Sequence, residues 1–192
     1  MALELIDNGL NYLNNNLYTE AKINFINALN LNADILDLDY WDNIDFGKEK
    51  DNLYSSLLED LDNDSTKTDN NFYLGLIKYQ EEDYSNAIKY FNKYNQNNTN
   101  TLLFLGKINA LTLNLFDAMF YYYRCLKKEP ENLYANKALA DILIELQDYK
   151  EAIHILKYIA KGTNDHSILY NLGLSYYQIN NYKESIKYLT QA

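Results

Sequence analysis

The sequence predicts an all-α fold made of stacked antiparallel helix pairs. Three observations carry that expectation. A short phrase returns at a fixed spacing, a small residue returns twelve positions before each copy of it, and helix breakers are scarce. The 192-residue chain holds one proline and six glycines, and 47% of its residues are hydrophobic. Core material is therefore ample, while the turn residues a β fold would need are few.

The recurring phrase reads Leu17-Tyr18-Thr19-Glu20-Ala21, Asp83-Tyr84-Ser85-Asn86-Ala87, Asp148-Tyr149-Lys150-Glu151-Ala152 and Asn181-Tyr182-Lys183-Glu184-Ser185. A weaker copy is Asn114-Leu115-Phe116-Asp117-Ala118. The small residues that close these copies are separated by 66, 31, 34 and 33 positions. The first gap is twice the last, which leaves room for one eroded copy. Twelve residues before each mark stand Gly9, Gly75, Gly106, Ala140 and Gly173. A mid-helix glycine costs about 1 kcal/mol against alanine, so its regular return implies close approach of two helices packed by larger neighbours.

These marks resemble the tetratricopeptide repeat family, whose 34-residue pattern runs W-x2-L-G-x2-Y and then alanine, an aromatic, alanine and proline. From Ala2, the residues Leu5, Gly9, Tyr12, Ala21, Phe25 and Ala28 match in order. A later copy supplies Leu102, Leu105, Gly106, Ala118, Tyr122, Cys125 and Pro130. The next two give Leu139, Ala140, Tyr149, Ala152 and Leu156, then Leu169, Leu172, Gly173, Tyr176, Ser185 and Leu189. The resemblance implies a right-handed α-solenoid, a single array over 1–192. Its repeats fall near 2–35, 68–98, 99–132, 133–165 and 166–192, with a degenerate one at 36–67. In that irregular stretch Trp41, Ile44, Tyr54, Leu57, Leu58 and Leu61 keep helical spacing, and Gly47 is expected at a turn. An acidic insertion is the alternative reading.

The formal charge of −10 lies entirely in residues 1–67, which hold 14 acids and 4 lysines. Such a surface repels phosphate backbones, so no nucleic-acid partner is expected. Met1 to Leu13 carries Glu4 and Asp7 without a basic flank or a long apolar run, unlike a secretory leader or a membrane span. With a single cysteine there is no internal disulfide, and a cytoplasmic protein without membrane insertion is expected. Cys125 occupies an alanine position of the family pattern and reads as a small buried packing residue.

Catalytic and metal chemistry finds no motif. Asp60-Leu61-Asp62-Asn63-Asp64 imitates the start of a calcium loop, but Ser65 and Asn71 stand where glycine and glutamate are required. His154 and His166 are not spaced as a metal pair, and neither a phosphate loop nor a nucleophile elbow is present. No enzyme activity, cofactor or metal is expected.

The resemblance places the first helix of each repeat along a concave groove. Carried over by repeat position, the groove residues are Phe72, Tyr73, Leu76 and Tyr79, then Leu103, Phe104 and Lys107. Tyr134, Lys137, Ala138 and Asp141 follow, and Tyr170, Asn171, Leu174 and Tyr177 complete the set. Aromatic anchors with a few polar groups suit an amphipathic helix or an extended peptide. The charged clamp of chaperone-tail receptors is missing, because Phe72, Leu76, Phe104, Tyr134 and Ala138 occupy its places. The expected function is a non-catalytic protein- or peptide-binding adaptor or scaffold, with removal of Phe104 and Tyr73 abolishing binding but sparing helicity. The alternatives are a homo-oligomerising module, acting through an uncapped C-terminal repeat or as part of a larger multidomain protein, and a small acidic secretion-type chaperone.

Overall fold

The computed structural model describes residues 1–31, 43–161 and 165–192. Eleven α-helices and no strand occur among them. They fall into two compact units, Met1–Ile108 and Asn109–Ala192.

The first unit contains α1 (Ala2–Asn14), α2 (Tyr18–Asn30), a 3-10 turn at Gly47–Glu49, α3 (Lys50–Asn63), α4 (Asn70–Gln80) and α5 (Tyr84–Tyr94). Helix α6 (Thr99–Leu111) runs across its end. The second unit contains α7 (Leu115–Lys128), α8 (Leu133–Glu145), α9 (Tyr149–Ala160), α10 (His166–Gln178) and α11 (Tyr182–Leu189).

The recurring phrase encodes a turn. In each copy the first helix ends in a residue with left-handed backbone, namely Asn16, Glu82, Leu113, Gln147 and Asn180, with φ of 62, 58, 60, 61 and 61°. Two backbone bonds close every copy. Asn16 N–H donates to Leu13 C=O and Leu17 N–H to Tyr12 C=O, and the same pairing returns at Asp83 to Lys78, Asn114 to Asn109, Asp148 to Leu143 and Asn181 to Tyr176. This is the Schellman arrangement, which satisfies the last carbonyls of the first helix. The following residue then caps the second helix. Asp83, Asp148 and Asn181 accept from the N–H of Asn86, Glu151 and Glu184, which is what side-chain oxygens at this position do.

The regular glycines serve close packing, with one refinement of the sequence expectation. A Cβ on Gly9 would lie 2.5 Å from the Phe25 ring, one on Gly75 would lie 2.8 Å from Phe91, and one on Gly173 would lie 2.7 Å from Leu189. The space is filled by a large side chain one turn beyond the alanine mark, rather than by the alanine itself. The marks Ala21, Ala87, Ala118 and Ala152 are buried, as is Cys125.

The described part of the irregular segment holds a 3-10 turn and one helix. Trp41 and the rest of 32–42 lie outside the described residues. Beyond them Gly47 has φ +63° at the turn, and α3 buries Leu53 and Leu57. Lys22 of α2 ties α3 in place, its Nζ 2.6 Å from Asp60 Oδ2 and 2.8 Å from Ser56 Oγ. Burial works to raise the Asp60 pKa, but the Lys22 hydrogen bond and charge outweigh it and leave the carboxyl below its ordinary value. Asp64, just past α3, accepts from the N–H and hydroxyl of Thr66 and so orders the turn that follows. No described helix is long and apolar enough to cross a membrane.

Candidate functional site

The groove positions divide sharply between the two units. In the first, α4 is buried from Asn70 through Ile77. Phe72 lies against Phe91, Tyr94 and Phe104, with ring centroids 5.7, 5.4 and 6.1 Å away. Phe91 and Phe104 stack at 5.0 Å with planes 10° apart. Tyr73 packs on Phe25 of α2 at 5.1 Å and donates its hydroxyl to the Phe25 carbonyl. The 44–46 stretch adds cover: Phe46 meets Phe25 edge-on at 5.9 Å, and Gln80 donates to the Ile44 carbonyl.

Phe72, Tyr73, Leu76, Leu103 and Phe104 are therefore core residues, not ligand contacts. The expectation that Tyr73 and Phe104 could be removed without structural cost is corrected with them. Repeat position fixes the direction of a side chain, not what covers it. Here α2 and α5 consume these rings. Of the expected groove positions in this unit, only Tyr79 and Lys107 are half-exposed, the ammonium lying 5.7 Å over the tyrosine ring.

In the second unit the corresponding face of α8 and α10 reaches solvent. Tyr170, Leu174 and Tyr177 are 52, 37 and 55% exposed. They stand four and three residues apart on α10, so they form one stripe. Beside it runs a polar row. Lys137 Nζ is 2.9 Å from Asp165 Oδ2, and Asn171 Nδ2 donates to Asp141 Oδ1 at 2.8 Å. The Ser167 hydroxyl and then the Lys137 ammonium hold the Asp165 carboxyl far below the usual carboxylate range. Asp141 moves the other way: desolvation by surrounding protein raises its pKa against the opposing Lys137 charge and Asn171 bond. Tyr134 and Ala138 are half-buried on the same helix, Tyr134 with its ring 6.3 Å from Tyr122.

Two residues of this face escaped the positional reading. Asp165 precedes α10 and caps it through Ser167 N–H, and the N-cap signal of an aspartate before Ser167 could have pointed to it. Tyr182 begins α11 with its ring 5.7 Å from Tyr177, extending the stripe. Among the described residues, no group of three or more histidine, cysteine and acidic side chains is placed to hold a metal ion.

Comparison with known proteins bears on the fold. The structure resembles that of MamA, with a TM-score of 0.67 at 16% identity, over 74% of this chain and 86% of that one. It resembles YrrB, described as a tetratricopeptide protein with an unusual peptide-binding site, with a TM-score of 0.67 at 18% identity, over 88 and 83%. The chain has the fold of a tetratricopeptide-repeat protein. Another structure of MamA extends the likeness to 99% of this chain and 88% of the other, with a TM-score of 0.61 and 15% identity. Residues 112–192 match the family model described as anaphase-promoting complex, cyclosome, subunit 3. That stretch is the second unit almost whole. None of the curated proteins matches the chain significantly.

Proposed function

We propose that the chain is a non-catalytic adaptor that binds a peptide or a short helix of another protein on the α8–α10 face, in a cytoplasmic setting. The observation that carries this reading is the coexistence, on one face, of an exposed tyrosine–leucine stripe and a fixed polar row. Tyr170, Leu174 and Tyr177 offer apolar area with little conformational entropy to lose. Lys137, Asp141, Asp165 and Asn171 are already ordered by their mutual bonds and present charges and an amide to a partner's backbone. A ligand with apolar anchors one helical turn apart fits the stripe, as does an extended strand with alternate anchors. The likeness to YrrB, itself described by its peptide-binding site, supports the same class of ligand.

Selection of peptides from a displayed library on the immobilised chain tests this. Peptides that bind the wild type are expected to lose at least about tenfold in affinity on Tyr170→Ala/Tyr177→Ala, with helicity and melting unchanged because both side chains are exposed. Selected peptides that bind the double variant equally well place the ligand elsewhere.

Self-association through the last helix pair is a second reading. The observation favouring it is that α11 leaves Tyr182, Ile186 and Leu189 exposed.

A further inference from the structure

Helix α7 carries a second apolar stripe, on a face the peptide reading does not use. Leu113, Phe116, Phe120 and Tyr123 are 75, 78, 55 and 45% exposed. The helical period puts Phe116, Phe120 and Tyr123 on one side over about two turns, with Leu113 in the turn that leads into the helix.

The fold itself does not ask for these residues, as the other repeats demonstrate. The left-handed turn position held by Leu113 is Asn16, Glu82, Gln147 and Asn180 elsewhere. The position of Phe116 is Thr19, Ser85, Lys150 and Lys183, all exposed. That of Phe120 is Ile23, Lys89, His154 and Lys187, again exposed. Polar side chains therefore suffice at these positions almost everywhere else in the chain. A leucine forced into left-handed backbone and two phenylalanines in water are costly choices, and a contact that covers them accounts for all three.

The charges around the stripe select the occupant. Asp117 and Arg124 are seven residues apart, two helical turns, and so share one flank. They lie symmetrically about the midpoint between Phe120 and Tyr121, each about 5 Å along the axis. The Arg124 guanidinium lies 5.5 Å over the Phe120 ring, at the stripe itself. When two copies of such a helix pair antiparallel about a two-fold axis, each flank meets its own kind. Asp117 then faces Arg124 of the second copy, twice, with the Phe120 rings at the centre. This is the self-complementarity an isologous interface requires.

We infer that α7 is a homodimer surface, pairing antiparallel with α7 of a second copy. At about 150–250 Å² for each aromatic side chain, the stripe offers on the order of 400–500 Å² per copy. The total falls below the roughly 1,200 Å² of stable complexes, so the dimer is weak and forms in the micromolar range.

Sedimentation equilibrium of the whole chain from about 5 to about 500 µM tests it. The expected result is a mass rising with concentration towards twice the monomer value. Phe120→Glu should remove that rise, with circular dichroism and melting unchanged. D117R and R124D alone should each weaken the dimer about tenfold, and D117R/R124D together should restore it, because each swapped charge meets its swapped partner. A constant monomer mass overturns the inference. So does a double charge variant no better than either single one. A dimer that survives Phe120→Glu but is lost on Ile186→Glu also overturns it and assigns the contact to α11 instead. None of these outcomes bears on the α8–α10 peptide face.

Discussion

Phe104→Ala is expected to destabilise the protein by about 3–5 kcal/mol, the range for deleting a buried aromatic side chain. Phe104 is fully buried, stacked on Phe91 at 5.0 Å and in edge contact with Tyr79 at 5.3 Å and Phe72 at 6.1 Å. Its removal leaves a hole that these rings, already fixed by one another and by α5, cannot close. Denaturant unfolding of the variant against the wild type measures the loss. A cost under about 1 kcal/mol would mean that the ring points to solvent, as a groove residue would. The same experiment thus separates a core role from a ligand-contacting role for the α6 position.

Gly75→Ala is expected to destabilise as well, against the usual sign. In an ordinary helix interior the change gains about 1 kcal/mol. Here the new Cβ would sit 2.8 Å from Phe91 Cε1, 2.9 Å from Cδ1 and 3.1 Å from Cγ. The Phe91 ring cannot retreat, because its other face stacks on Phe104. Overpacking of this kind costs about 1–3 kcal/mol, enough to exceed the propensity gain. Thermal unfolding reads the outcome: a lowered Tm is expected, and an unchanged or raised Tm would show that the ring yields.

Both results bear on how far the sequence alone could be read. The spacing of Gly9, Gly75 and Gly173 announced close helix contacts, since only a packing demand explains a glycine returning at that interval. The turn that joins each pair was less legible. Asn16, Glu82, Leu113, Gln147 and Asn180 share a left-handed backbone but no chemistry, because the Schellman bonds use main-chain groups alone. Exposure at the expected groove positions differs between the two units. Repeat position put Tyr170, Leu174 and Tyr177 on one side of α10, where they are exposed, and Tyr73 and Phe104 on the corresponding side of their helices, where they are buried. It could not say that Tyr73 meets Phe25, 48 residues away in sequence, or that Phe46 closes over that same Phe25 ring. Repeat marks give spacing along the chain and say nothing of which distant ring covers which. The α7 stripe was in view as the weakest copy of the phrase, where Leu113 and Phe116 replace polar residues.

Hydroxyl-radical footprinting of the folded chain, read by mass spectrometry, tests most directly the division between an accessible α8–α10 face and its buried α4–α6 counterpart. Tyr170 and Tyr177 should label readily in the native protein, and Phe72, Tyr73 and Phe104 only after unfolding. Native labelling of Tyr73 or Phe104 at the rate of Tyr170 would contradict that division and return the α4–α6 residues to the binding face.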